Sequence, residues 1–178
     1  MNILHDISDS RIKPDEFVAV IEIPKGTKKK YEIDKETGLL MLDRVTPSGM
    51  FYPMNYGFIP RTLCEDGDAL DVFVLCSETL DCMTLVDCRP IGFIEMVDNG
   101  EQDEKIIAVA KKDQKFANVK DIKDISENYI VEIMHFLKFY KAHDPKNSIQ
   151  LKPAKGCDEA IAVVKAAKVM YNTTGGKK

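Results

Sequence analysis

The chain has 178 residues, 44% hydrophobic and 30% charged, a composition typical of a soluble globular protein and not of a fibrous or disordered one. Its net charge of −4, from 29 acidic and 25 basic residues, argues against a protein that binds nucleic acid by neutralising phosphates. No apolar run approaches the roughly 20 residues that span a bilayer, and no secretory signal is visible. The five cysteines form no C-x-x-C pair, so we expect reduced thiols. We therefore expect one cytoplasmic domain over residues 1–178 that binds neither nucleic acid nor a membrane.

Short β-strand patterns follow a polar lead-in, residues 1–15, which we expect to be loosely held. The first apolar run ends at Pro24, which cannot donate to a strand ladder, and Glu22 is a charge with apolar neighbours on both sides. Short strands joined by tight turns favour a meander or barrel over a parallel sheet. The predicted strands in this half of the chain are residues 17–23, 28–34, 39–45 and 72–76. Two more are predicted at residues 83–88 and 91–97, with Pro90 and Gly92 marking a bend between them.

Aromatic residues are concentrated between the third and fourth of these strands, in residues 46–61. Tyrosines such as Tyr52 and Tyr56 have an apolar ring and a polar hydroxyl, which suits the wall of a site. Side chains that fill core space beneath a loop explain the same composition equally well.

An acidic loop, residues 66–71, is the most distinctive stretch. It places Asp66, Asp68 and Asp71 directly before a strand whose two faces are both apolar. Three carboxylates this close resist ionising together unless a cation lies between them. A turn or bulge at Gly67 would bring them to one point, although a solvated Asp-Gly turn is the common alternative.

A second acidic pair lies at a predicted hairpin. Asn99-Gly100 between two apolar runs, residues 91–97 and 106–110, is a strong hairpin signal. It places Asp98 and Asp103 on opposite limbs of one tip. A solvated acidic tip remains an alternative.

Two amphipathic helices are predicted in the last third of the chain. Apolar residues recur at helical spacing over 126–141, with Ser126 as N-cap, and again over 158–171, ending at Gly175-Gly176. The tail, residues 173–178, should fray. The pattern as a whole predicts an α+β domain, mainly β, in which a small barrel of about six to eight strands carries two flanking C-terminal helices.

The polar residues singled out by these patterns suit phosphate chemistry. Carboxylates can hold Mg²⁺, while lysine, arginine and tyrosine can hold phosphate oxygens. Phosphoryl transfer needs mainly such positioning and charge neutralisation, with one free carboxylate to take a proton from water.

The same residues lie in motifs that resemble the soluble family I inorganic pyrophosphatases of the bacterial type. The resemblance runs in collinear order over nearly the whole chain and weakens after residue 145. It rests on residues 20–24, 30–34, 43–44, 51–57, 66–71, 88–90, 98–105 and 135–141.

The resemblance implies Mg²⁺-dependent hydrolysis of pyrophosphate to two orthophosphates, by in-line attack of a water bridging two of several Mg²⁺ ions. It implies an OB-like five-stranded antiparallel barrel with additional strands, assembled into a homohexamer. Asp68 would be the general base, with Asp71 bridging two metals. The metal ligands would be Asp66, Asp71, Asp98, Asp103 and Glu32; the phosphate ligands Lys30, Arg44, Tyr56, Tyr140 and Lys141; and the supporting residues Glu22, Tyr52 and Lys105.

Three positions depart from the family pattern. Ala69 stands where proline is usual, so packing must hold the bend in the acidic loop. Asn99 stands where an acidic residue is common, and Phe139 replaces a polar residue, which affects the expected subunit contacts.

Two other classes of function compete with the enzyme. A non-catalytic OB-like module for single strands or sugars would need a basic groove, whereas the strand ends here are acidic. A purely structural cation site leaves Lys30, Arg44 and Lys141 unexplained, and residues 66–71 lack the spacing of an EF-hand loop.

Overall fold

Five strands close into a barrel in the computed structural model, which describes residues 2–47, 49–144 and 148–175. The strands of the described residues are β1 (Ile12–Lys13), β2 (Glu16–Ile23), β3 (Lys29–Ile33), β4 (Leu40–Val45), β5 (Asn55–Phe58), β6 (Asp71–Leu75), β7 (Leu85–Ile94), β8 (Met96–Asp98), β9 (Glu101–Gln102), β10 (Lys105–Ala110) and β11 (Ile149–Leu151). The order around the barrel is β2, β5, β6, β10 and β7, and β7 pairs with β2 to close it.

The five-stranded barrel implied by the resemblance is confirmed, with one difference in strand direction, whereas the strand pattern alone predicted too many strands, about six to eight. Strands β6 and β10 pair in parallel, with Asp71 opposite Lys105, while the other barrel pairings are antiparallel. The pair is parallel because the chain crosses through β7, β8 and β9 before it returns beside β6. This register brings the end of the acidic loop next to the end of the predicted hairpin.

The additional strands form two small sheets outside the barrel. Strands β3 and β4 make a separate two-stranded hairpin, and β8 pairs with both β9 and β11. The Asn99-Gly100 turn has the positive φ values, 52° and 93°, that a tight hairpin turn requires. The predicted hairpin turn is therefore present, but its limbs are the short strands β8 and β9, and the predicted limb at residues 106–110 lies in β10, which pairs with β6 and β7.

Strand β7 is one continuous strand, although the sequence pattern predicted two, residues 83–88 and 91–97. Its pairing with β10 shifts register, so that Gly92 lies opposite Ile107 and Pro90 opposite Ala108. Ile91 is the extra residue of a bulge. The bend signal of Pro90 and Gly92 therefore marks a bulge and not a strand end.

Both predicted helices are present. Their ends lie within two residues of the predicted bounds, except that α2 ends three residues later than predicted. Helix α1 spans Glu127–Phe139, and its N-cap Ser126 accepts a hydrogen bond from the Asn128 backbone. Helix α2 spans Cys157–Thr174 and is capped by Gly175 at φ 66°. Of the tail predicted to fray, residues 173–178, Thr173 and Thr174 belong to α2 and Gly175 is its cap, while residues 176–178 lie outside the described residues. No helix in the described ranges is long and apolar enough to cross a membrane.

The two helices cover the two faces of the buried strands. Val72 and Val74 belong to the core cluster that includes α2, whereas Phe73 and Leu75 belong to the cluster that includes α1. This explains why both parities of β6 are apolar. Within the lead-in, Ile12 of β1 is fully buried and lies opposite Phe17 of β2, which ties the second half of the lead-in to the barrel.

Gly57 marks the closest approach of two barrel strands. A Cβ at this position would lie 1.8 Å from the backbone oxygen of Val20. We expect Gly57→Ala to lower the free energy of unfolding by about 3 kcal/mol or more, because backbone must shift to relieve the overlap. Urea unfolding measures this. Gly49→Ala is the comparison, because its Cβ meets open space and only its positive φ is strained, at about 1–2 kcal/mol. Equal losses in both variants would contradict the steric explanation.

Candidate active site

One cavity of about 490 Å³ gathers the predicted site residues. It lies between the β3–β4 hairpin, the acidic loop, the β8–β9 tip and the end of α1. Of the predicted residues, only Arg44 lies outside its wall. Those that line it are Glu22, Lys30, Glu32, Tyr52, Tyr56, Asp66, Asp68, Asp71, Asp98, Asp103, Lys105, Tyr140 and Lys141.

Backbone hydrogen bonds fold the acidic loop into a tight turn. The Asp68 backbone donates to the Asp66 carboxylate at 2.9 Å, and its own carbonyl accepts from the Cys64 backbone at 2.8 Å. Gly67 takes φ 86° within this turn. Ala69, which stands in place of proline, packs against a small core cluster of Val20, Ile33 and Phe58. Packing and hydrogen bonds thus hold the bend without a locked φ angle.

A buried lysine joins the two acidic segments. The Lys105 side chain is 4% exposed, and its ammonium contacts the carboxylates of Asp71 and Asp103. Burial lowers the pKa of Lys105, but the two carboxylates outweigh burial and raise it. Burial raises the pKa of Asp103 to about 6, with the negative charge of Asp71 adding to the effect of burial and Lys105 opposing it.

The β8–β9 tip presents Asp98 to the end of helix α1. One Asp98 oxygen pairs with Lys141, just after α1, while Oδ1 is buried and has no hydrogen-bond partner among the described residues. Asn99 forms two hydrogen bonds with the backbone of Ser148, one from its own N–H and one to its side-chain oxygen, both 2.9 Å. Asparagine at position 99, where the family commonly has an acidic residue, therefore stabilises the turn. It tolerates positive φ, and its side chain and backbone hold Ser148, the residue before β11.

The β3–β4 hairpin holds a cluster of alternating charges. Lys30 contacts Glu32 and lies 3.1 Å from Asp43, which in turn lies 2.7 Å from Nε of Arg44. Register shifts between Lys30 and Tyr31, so Asp43 is the extra residue of a bulge in β4. The bulge turns Asp43 toward the two cations. Arg44 lies at the rim as a result, held by Asp43.

Tyrosines form an apolar wall with hydroxyl groups beside the carboxylates. Tyr52 contacts Phe136 with ring centroids 4.5 Å apart, and Phe136 stacks on Tyr140 at 5.2 Å. Burial raises the pKa of Tyr52, Tyr56 and Tyr140, so all three remain protonated donors at neutral pH. Both interpretations of the aromatic segment are thus correct, because Tyr52 and Tyr56 are core residues that also line the cavity.

Glu22 is a buried carboxyl at the back of the cavity. It is the extra residue of a bulge in β2, where Ile21 pairs with Gly57 and Ile23 with Tyr56. Its side chain accepts a hydrogen bond from the Ile33 backbone at 3.0 Å. Burial, followed by the charge of Asp71, raises the pKa of Glu22 to about 8. Glu22 therefore supports the hairpin as a largely protonated group.

Two charged residues at the site were missed by the sequence reasoning. Asp43 was noted only within a motif, yet it orders Lys30 and Arg44. Lys35 lines the cavity and pairs with Asp68 at 2.5 Å. A charged residue in a hairpin, such as Asp43 or Lys35, cannot be recognised as a site residue from its sequence position, because most charged residues in hairpins face solvent.

Comparison with known proteins assigns the family. The model of the inorganic pyrophosphatase family matches residues 19–172. The chain belongs to the inorganic pyrophosphatase family. It is 42% identical to soluble inorganic pyrophosphatase 2 of Chlamydomonas reinhardtii over 94% of this chain and 86% of that one. The inorganic pyrophosphatase of Thermus thermophilus superposes with a TM-score of 0.90 at 36% identity, covering 97% of this chain and 99% of that one. That of Helicobacter pylori gives 0.86 at 39% identity, covering 90% and 96%.

Membership of the inorganic pyrophosphatase family implies a divalent metal cofactor. In the described residues no three His, Cys, Asp or Glu side chains are gathered closely enough to hold a metal ion as they stand. Lysines pair with the carboxylates instead, Lys105 between Asp71 and Asp103 and Lys141 with Asp98. The donor set nevertheless fits a hard cation, because it consists of carboxylate oxygens, and the buried Oδ1 of Asp98 has no hydrogen-bond partner within residues 2–47, 49–144 and 148–175.

The raised pKa values predict a pH-dependent stability in the metal-free protein. Glu22 titrates at about 8 and Asp103 at about 6 in the folded chain, above the ordinary 4.5 and 3.8. The folded state therefore binds protons that the unfolded state releases, and its free energy of unfolding should fall as pH rises from about 5 to 8. Urea titrations in chelator measure this slope. Glu22→Gln, which keeps an oxygen for Ile33, should flatten the upper part of it. An unchanged slope in that variant would contradict the assignment.

Proposed function

We propose that this chain hydrolyses inorganic pyrophosphate to two orthophosphates with Mg²⁺ as its cofactor. The observation that carries the proposal is a single cavity in which carboxylates and fixed cations alternate around the acidic loop. The matching family and the named relatives support the same reaction. A non-catalytic binding module is disfavoured, because an anionic groove would repel a nucleic-acid strand.

The metal ligands in this proposal come from three segments. Asp71 would serve two ions and Glu32 would contribute from the hairpin; the full set would be Asp66, Asp71, Asp98, Asp103 and Glu32. Bound Mg²⁺ would neutralise phosphate charge and make water a better nucleophile near neutral pH. Lys105 keeps Asp71 and Asp103 at a fixed separation, and Glu22 and Tyr52 support the wall behind them.

The phosphate ligands lie between these carboxylates, with Lys30 beside Glu32 and Lys141 beside Asp98. Lys30 and Lys141 act as point charges, Arg44 approaches from the rim, and Tyr56 and Tyr140 donate hydroxyl hydrogen bonds. Water attacks one phosphorus in line with the bridging oxygen, and the bond from that phosphorus to the bridging oxygen breaks. Asp68 accepts the proton of the attacking water. That proton then passes to the departing phosphate, and two orthophosphates leave with Asp68 ionised again, so atoms and charge balance.

The remaining properties belong to the same proposal. Residues 1–178 form one domain, several Mg²⁺ ions bind per site, and the protein works in the cytoplasm with neither a nucleic-acid nor a membrane partner. Six copies associate, a proposal supported by apolar side chains exposed on α1, Val131 and Phe139. Sedimentation velocity tests the assembly.

Orthophosphate release tests the reaction directly. Purified protein should release orthophosphate from pyrophosphate with Mg²⁺ present and stop when chelator is added in excess. Phosphate is measured colorimetrically against a heat-denatured sample. Release no higher than in that sample would end the enzyme proposal.

Asp68→Asn tests the general base. The amide keeps the size of the side chain but cannot accept the proton, so kcat should fall by about 10²–10⁴ while metal binding measured by calorimetry changes little. Asp87→Asn is the matched control, since Asp87 pairs with Lys112 away from the cavity and should leave kcat unchanged. Full activity in the Asp68 variant would remove that residue from the role.

A further inference from the structure

Lys35 links two parts of the site that no strand pairing joins. It lies in the turn between β3 and β4, and its Nζ donates to the Gly67 carbonyl at 3.2 Å. The same Nζ lies 2.5 Å from Oδ1 of Asp68. The hairpin belongs to its own two-stranded sheet, whereas the acidic loop leads into the barrel strand β6.

The turn that carries Lys35 is itself well braced. The Asp34 carboxylate accepts hydrogen bonds from the Thr37 backbone at 3.1 Å and the Glu36 backbone at 3.4 Å. Gly38 takes φ 72° and donates to the Asp34 carbonyl at 2.7 Å. The backbone from which Lys35 extends is therefore fixed, so its ammonium can hold a partner in place.

We propose that Lys35 is a positioning residue that holds Asp68 and the acidic loop against the β3–β4 hairpin. This inference rests on the proposed function, in which Asp68 takes the proton and the hairpin supplies Lys30 to the phosphates. The Gly67 carbonyl and one Asp68 carboxylate oxygen share the same ammonium. That shared contact restricts the rotation of the Asp68 side chain and fixes the distance between the base and the phosphate ligands.

The exposure of the pair determines where its effect should be measured. The side chains are 64% and 61% exposed, so the ion pair contributes little to stability. Catalysis is more sensitive to position, because a displacement of about 1 Å can lower a rate by up to about 100-fold. Loss of Lys35 should therefore lower turnover without unfolding the chain.

Lys35→Met tests the proposal, because it keeps most of the length of the side chain without its charge. We expect kcat to fall by about tenfold, the KM for pyrophosphate to stay within about twofold, and the thermal midpoint to be unchanged. Lys35→Arg should recover at least half of the activity. Lys112→Met is the control, since Lys112 pairs with Asp87 at 3.2 Å outside the cavity and should match the parent chain.

A double variant separates positioning from direct binding. If Lys35 acts through Asp68, then Lys35→Met should add little to the loss already caused by Asp68→Asn. Losses that multiply would overturn the proposal, as would a rise in KM at constant kcat, which would indicate contact with the substrate.

Hydrogen exchange gives a readout that does not depend on activity. In metal-free protein, peptides spanning residues 64–71 should exchange faster in Lys35→Met than in the parent chain. Unchanged exchange would overturn the proposal even if pyrophosphate proved not to be the substrate. Failure of the parent chain to hydrolyse pyrophosphate would instead count against the proposed function.

Discussion

The contact of Lys105 with Asp71 and Asp103 is the constraint on which the site depends. Two barrel strands that run in parallel bring Asp71 and Lys105 opposite each other. The lysine is almost fully buried, so its charge must be compensated there, and both carboxylates are fixed in consequence. The acidic loop that ends at Asp71 and the tip that ends at Asp103 thereby take defined positions. The rest of the cavity is built outward from this contact.

Bulges place two further charged groups at the site. Glu22 and Asp43 are each the extra residue of a bulge, in β2 and β4, and each contacts a neighbouring element from that position. A third bulge, in β7, has the apolar Ile91 as its extra residue. A regular strand would alternate these side chains strictly between its two faces. The bulges break that alternation where the site needs a carboxylate on the other side.

Local patterns in the sequence predict much of this structure. The apolar stripe and Ser126 predict α1, Asn99-Gly100 predicts the β8–β9 turn, and the two apolar parities of β6 predict its burial under both helices. These features depend on residues a few positions apart. The motifs also predict which residues meet in one cavity, because they recur together in a family with this fold.

Structural features that depend on segments far apart in the chain cannot be predicted from such local sequence patterns. The parallel pairing of β6 with β10 follows from how the chain crosses the barrel, and nothing in either strand's own residues specifies the direction. The bulges at Glu22 and Asp43 are one-residue shifts, which a count of alternating side chains cannot locate. Lys35 is a turn lysine like many solvated ones until the acidic loop is placed beside it.

The balance of charge in the cavity connects the metal to the substrate. Its wall holds more carboxylates than lysines, and the lysines are already paired, Lys30 with Glu32, Lys35 with Asp68, Lys105 with Asp71 and Asp103, and Lys141 with Asp98. A polyanion approaching this wall meets net negative charge and few unengaged cations. In the proposed function, divalent cations on the carboxylates reverse that balance and leave Lys30 and Lys141 to pair with phosphate oxygens, while Lys35 and Lys105 keep their carboxylate partners. In the proposed function, phosphate binding therefore depends on metal, because the carboxylates of this wall repel an anion until cations neutralise them.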